Sequence, residues 1–90
     1  MNYYIGHMKT VDAAKDKEIL TEHIDYLNDQ INAGKILAKG PFTDHTGGLI
    51  IFNVRSLEEA EEIANGDPAL KEGSRVYTFK EWKCSATLAQ

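Results

Sequence analysis

Apolar positions along this chain change their period several times, and each change marks a new element. The opening Tyr3-Tyr4-Ile5-Gly6-His7-Met8 is rich in residues that suit a pleated surface and predicts a first strand. Ile19, Leu20, His23, Ile24, Leu27 and Ile31 then recur at spacings of three and four, one face of an amphipathic helix. That helix is expected from about Asp16 to Ala33, with Asp16, Glu18, Glu22, Asp25 and Asp29 mostly on its other side and Gly34 as its left-handed stop. Ile36-Leu37-Ala38 predicts a short second strand ended by Gly40-Pro41, because proline cannot donate to a ladder. After a polar connection and Gly47-Gly48, the unbroken run Leu49-Ile50-Ile51-Phe52 predicts a third strand covered on both faces. Ser56 and Glu59 form a capping box for a second helix whose inner face is Leu57, Ala60, Ile63 and Ala64, closed by Gly66. Asp67-Pro68 starts about one further helical turn, ending before Gly73. Val76 to Trp82 is the last expected strand.

The order β-α-β-β-α-β is a known supersecondary arrangement. Right-handed crossovers place both helices on one face of a four-stranded antiparallel sheet, an α+β, ferredoxin-like fold. Leu49 and Ile51 then point to one face and Ile50 and Phe52 to the other, although helices cover only one. A large apolar patch left open is unusual on a lone monomer, so a second copy packed sheet to sheet is expected, giving a homodimer.

Composition narrows the function classes. Ninety residues suit one domain, expected over 1–84 with a frayed tail at 85–90. A formal charge of −4 provides no footprint for nucleic acid and argues against an anionic lipid surface. The aromatic residues Tyr3, Tyr4 and Phe52 could stack bases on a sheet of this type, but the basic pattern that accompanies such rings is missing. The single cysteine, Cys84, permits no internal disulfide and no cysteine metal cluster, and is expected to be a spare thiol. No stretch has the ~20 apolar residues of a membrane span, and Met1-Asn2-Tyr3-Tyr4 lacks the features of a secretory signal; the cytoplasm is the expected location.

His23 is the most informative residue. It sits four after Ile19 and four before Leu27, on the apolar stripe, where a polar ring must find a partner. Two readings follow: a hydrogen-bonded core histidine, or a general acid or base, since histidine titrates near neutrality. Asp67 also reads two ways, as the cap of the short helix or as a carboxylate that orients His23. His7 either lines a pocket or occupies a sheet face beside Tyr3 and Ile5. Asp44 and His45 share a loop of ordinary composition, and His7, His23 and His45 lack metal-ligand spacing. Gly40-Pro41 and Gly47-Gly48 have no phosphate-loop spacing.

Taken in order, several fragments resemble the YCII-related family. They are His23-Ile24-Asp25-Tyr26-Leu27, the run Gly34 to Phe42 containing Gly40-Pro41-Phe42, and Gly47-Gly48 with the apolar strand after it. Ser56 to Ala60 and Asp67-Pro68 complete the set, which spans roughly residues 3 to 82. The resemblance implies a dimeric α/β-barrel fold and a cleft in which His23 and Asp67 meet as a catalytic pair. Some relatives are enzymes, among them a dehydrochlorinase acting on a chlorinated hydroxyhydroquinone, and muconolactone isomerases occur in the wider superfamily. Ala69 stands where members often carry a large aromatic, so the pocket shape is expected to differ.

The expected function is therefore a small lyase or isomerase that moves a proton on a small cyclic or carbonyl-bearing molecule. Its catalytic residues would be His23 and Asp67, and its substrate-binding residues His7, Gly40, Pro41 and Phe42, without metal or cofactor. The rival is a non-catalytic small-molecule-binding or accessory module that uses the same cleft.

Overall fold

The computed structural model describes residues 2–85. Four strands, β1 (Asn2–Thr10), β2 (Ile36–Pro41), β3 (Gly47–Phe52) and β4 (Arg75–Lys83), form one sheet in the order β2-β3-β1-β4. All three neighbouring pairs are antiparallel. Helices α1 (Ala13–Glu18), α2 (Leu20–Asn32), α3 (Leu57–Asn65) and the single turn α4 (Pro68–Lys71) complete an α+β, ferredoxin-like domain. The tail expected from residue 85 onward lies, beyond Ser85, outside the described residues.

Strand register assigns the faces. Tyr4 pairs with Phe52 and Gly6 with Ile50, so their side chains share the side on which Leu27 of α2 and Ala60 of α3 pack. Met8, Leu27, Ile36, Ile50, Phe52 and Ala60 form the core. Ile50 and Phe52 are wholly buried there, as their alternation requires. On the other face Ile51 is buried but Leu49 is only half-buried, because no helix among the described residues covers that side. The expectation that the whole third strand is enclosed is met on the helix side and not at Leu49.

Two elements differ from their expected form. One helix was expected from Asp16 to Ala33, yet the chain folds as α1 and α2, joined at Ile19 with φ −103° and ψ 11°. The first helix also starts earlier, because the Asp12 side chain accepts a hydrogen bond from the Lys15 amide and caps it. Neither proline nor glycine lies at the break. Tertiary bonds supply the reason: Val11 N and Asp12 N both donate to the Ser74 carbonyl, and Asp16 binds Arg75, tying α1 to the start of β4. Asp16 therefore turns inward, where the periodicity assigned it to the outer side. The second difference is at β2, which continues through Gly40 and Pro41. It is an edge strand, and a proline at its last position leaves the ladder intact.

Gly47 shows why the glycine pair precedes β3. Its φ is 153°, and a Cβ there would run into the Met8 backbone carbonyl, so a side chain would drive the two strands apart. Gly34, with φ 78°, occupies the left-handed position expected after the long helix.

Candidate functional site

The apolar stripe of α2 presents His23 and Leu27 as its buried residues, while Leu20 and Ile24 remain 39% and 38% exposed. Those two partly open residues form a rim instead of core. With Met8, Leu27, Lys39, Gly40, Pro41, Arg75 and His23 they enclose a hollow of about 130 Å³. Its walls are mainly aliphatic, and its polar lining residues are His23, Arg75 and Lys39, the last of which also borders the depression beside Phe42.

Asp67 reaches this site from the turn between α3 and α4. Gly66 allows the approach, since a Cβ there would collide with the Tyr26 hydroxyl on α2. The Asp67 carboxylate is fully buried and accepts three hydrogen bonds. His23 Nδ1 lies 2.7 Å from Oδ1, the Ala69 amide donates to the same oxygen at 3.0 Å, and the Tyr77 hydroxyl donates to Oδ2 at 2.6 Å. A buried carboxylate needs such donors to remain ionised. Burial pushes the Tyr77 hydroxyl far above the ordinary phenol range, and the Asp67 charge and the hydrogen bond to it push the same way. Tyr77 thus stays a donor. Asp67 is helix cap and histidine partner at once, so the two sequence readings are compatible.

The other ring nitrogen has its own neighbour. Arg75 Nη1 lies 3.3 Å from His23 Nε2. Guanidinium only donates, so this bond requires the Nε2 lone pair and places the ring proton on Nδ1, facing Asp67. Arg75 is held in turn by Asp16, with Nε to Oδ1 at 2.7 Å and Nη2 to Oδ2 at 2.9 Å, a two-pronged pairing. Ser74 Oγ adds a bond to Asp16 at 2.9 Å. Burial acts to raise the Asp16 carboxyl, but the bonds from Arg75 and Ser74 and the charge of Arg75 outweigh it, and the carboxyl is held below its ordinary value. A continuous chain results, Asp16–Arg75–His23–Asp67–Tyr77, with the histidine at its centre and the hollow alongside.

The expected site residues divide into two groups. His23 and Asp67 meet, and Gly40 and Pro41 line the same hollow. His7 does not join them. It lies exposed on the uncovered sheet face, in a shallow depression with Ile5, Leu49, Thr78 and Lys80. Phe42 keeps company with His7, ring centroids 5.2 Å apart, and borders a second depression with Leu49 and Ile51. The reason is strand parity: Met8 faces His23, so His7 must point the opposite way. Arg75, Tyr77, Asp16 and Lys39 were absent from the expected set. Tyr77 and Arg75 carried one weak signal, since they alternate on the strand that pairs with Met8.

Comparison with known proteins agrees with this architecture. Residues 1–83 match the YCII-related domain. The uncharacterised protein YjpA of Bacillus subtilis (strain 168) is 44% identical over 69 residues, covering 76% of this chain and 80% of that protein. Among solved structures, a 5-chloro-2-hydroxyhydroquinone dehydrochlorinase (TftG) from Burkholderia phenoliruptrix AC1100, in complex with 2,5-dihydroxybenzoquinone, superposes with a TM-score of 0.76. It covers 92% of this chain and 94% of that chain at 22% identity, a likeness of fold. With the family match extending across all four strands and both ends of the His23–Asp67 contact, this chain belongs to the YCII-related family.

Proposed function

We propose that this protein is a cofactor-independent lyase or isomerase that moves a proton on a small cyclic molecule, with His23 as its base. The observation that carries the reading is the imidazole between Asp67 and Arg75 at the wall of an aliphatic hollow. Asp67 holds the tautomer whose lone pair is on Nε2, the arrangement a general base needs. A substrate hydroxyl or activated C–H would give its proton to Nε2 while its electron pair forms a carbon–oxygen or carbon–carbon double bond. In the lyase version that bond expels a leaving group as an anion, so the net loss is one acid molecule and no redox partner is involved. Arg75 lies where the developing oxyanion would sit, and such fixed charge stabilises a transition state strongly. The dehydrochlorinase of the same fold supports a reaction of this class.

The test is chloride release from 5-chloro-2-hydroxyhydroquinone, alongside deuterium uptake from heavy water into enolisable cyclic ketones. His23→Ala is expected to lower the rate by about 10² to 10⁴-fold while the fold persists by circular dichroism. A variant that retains the wild-type rate overturns the assignment. One observation favours the rival binding-module reading: both nitrogens of His23 already have partners. Saturable binding of ring compounds with neither elimination nor exchange would support that module in place of the enzyme.

The functional unit we propose is a homodimer. Ile5, Leu49, Ile51, Tyr3 and Trp82 share the sheet face that no helix among the described residues covers, and Val76 on the same face is 44% exposed. A second copy laid against it would bury that surface, which stabilises by about 25 cal/mol per Å². Among the described residues no helix is long and apolar enough to cross a membrane.

A further inference from the structure

Lys39 is unusual among the lysines of this chain. Lys15 and Lys35 pair with glutamates, and Lys9, Lys17, Lys71, Lys80 and Lys83 are exposed to water. Lys39 is half-buried, and no ion pair or side-chain hydrogen bond among the described residues includes its amine. Its register partner is Ile50, a fully buried residue of the helix side, so the side chain lies on the same side of the sheet as His23. There it lines the hollow.

The charges of the hollow are one-sided. Lys39 and Arg75 line it and no carboxylate does, although the chain as a whole carries −4. The two acids of the network, Asp16 and Asp67, lie outside the lining, bound to Arg75 and His23. A ligand entering here meets Lys39 and a guanidinium whose charge is shared with Asp16, across an aliphatic floor. The volume of about 130 Å³ is close to the ~150 Å³ cavity that holds a benzene molecule. One ring fits, and two do not.

We infer that Lys39 and Arg75 form a two-point receptor that selects a single-ring molecule bearing an acidic hydroxyl and a second, anionic oxygen group. The hydroxyl lies at His23 Nε2 and Arg75, and the anionic oxygen lies at Lys39. This deepens the proposed reaction and rests on it for the orientation at His23, whereas the charge preference itself is a property of binding. The plainer account of Lys39 is that β2 is an edge strand, where lysines deter pairing with other chains. That account requires no ligand preference.

The probes are para-hydroxybenzoate and para-hydroxybenzamide, which match in shape and differ in charge, titrated calorimetrically into the full-length protein. The wild type is expected to bind the acid roughly tenfold or more tightly than the amide, the range of one hydrogen bond to a charged group. Lys39→Met should erase the preference by weakening the acid alone, and Lys39→Arg should retain it. Equal affinity of the two probes in the wild type, no binding of the acid, or a preference that survives Lys39→Met would each overturn the receptor. The outcome is separable from catalysis. A clear acid preference without turnover leaves the receptor standing and removes the base, and turnover without the preference does the reverse.

Discussion

Asp67 shows most directly how one residue can satisfy local and distant demands together. Its Oδ1 caps α4 through the Ala69 amide, a bond two residues long, and also meets His23, forty-four positions away. The first contact is legible from Asp67-Pro68 alone, because a cap acts on its immediate neighbours. The second is legible only as a possibility, since spacing along the chain says nothing about which turn faces which helix. Nothing in the sequence marks Tyr77 beyond its place in the last strand. Its phenol satisfies Oδ2, and Tyr77→Phe would leave that oxygen without a donor in a fully buried site. The expected cost is about 1–3 kcal/mol, read as a lowered urea midpoint with an unchanged slope. An unaltered midpoint would show that water replaces the phenol.

At the scale of elements, the division of the first helical region is the instructive case. Periodicity described the face of α2 well, because His23 and Leu27 are its buried residues. It missed the break at Ile19, since period measures which side a residue occupies and not where a neighbouring strand pulls. The pull comes from Arg75, which grips Asp16 with two bonds and draws α1 against the start of β4. Asp16 contributes to stability in a pH-dependent way. Its folded carboxyl titrates below the unfolded value of about 3.9, so its contribution is complete above that value and declines as the pH falls through the folded one. From about pH 5 downward the wild type should therefore lose stability more steeply than Asp16→Asn, as urea titrations at successive pH values would show. Parallel curves would mean the ion pair adds nothing to folding. Ser74 and Arg75 precede the strand expected from Val76 and carry no strand signal, because the apolar alternation that marks a strand begins after them.

The whole molecule has two unlike sheet faces. One carries the helices and the hollow, and the other carries Ile5, His7, Leu49 and Ile51 with no element above it among the described residues. The tetrapeptide Leu49-Ile50-Ile51-Phe52 already announced that both faces want cover. If a second copy provides it, light scattering should give twice the chain mass, and Leu49→Lys should return the protein to a single chain by placing a charge on that face. A wild type at single-chain mass throughout the micromolar range would rule out the dimer. His7 and Phe42, expected beside His23, belong to this second face and would lie at or near such an interface.

What the amino-acid sequence determined by itself was governed by near neighbours and alternation: the order of strands and main helices, the Ser56 cap on the Glu59 amide (Glu59 itself reaches the Arg55 amide and not that of Ser56), the turn at Asp67-Pro68, and the buried position of His23 on its helix. The tertiary structure alone decided which charges meet. Arg75 reaches His23 across fifty-two residues, and Lys39 shares its hollow from an edge strand. Those partnerships depend on how strands and helices cross in space. A side chain's chemistry can be read from its letter, but its neighbours are set by the packing of elements far from it in the chain.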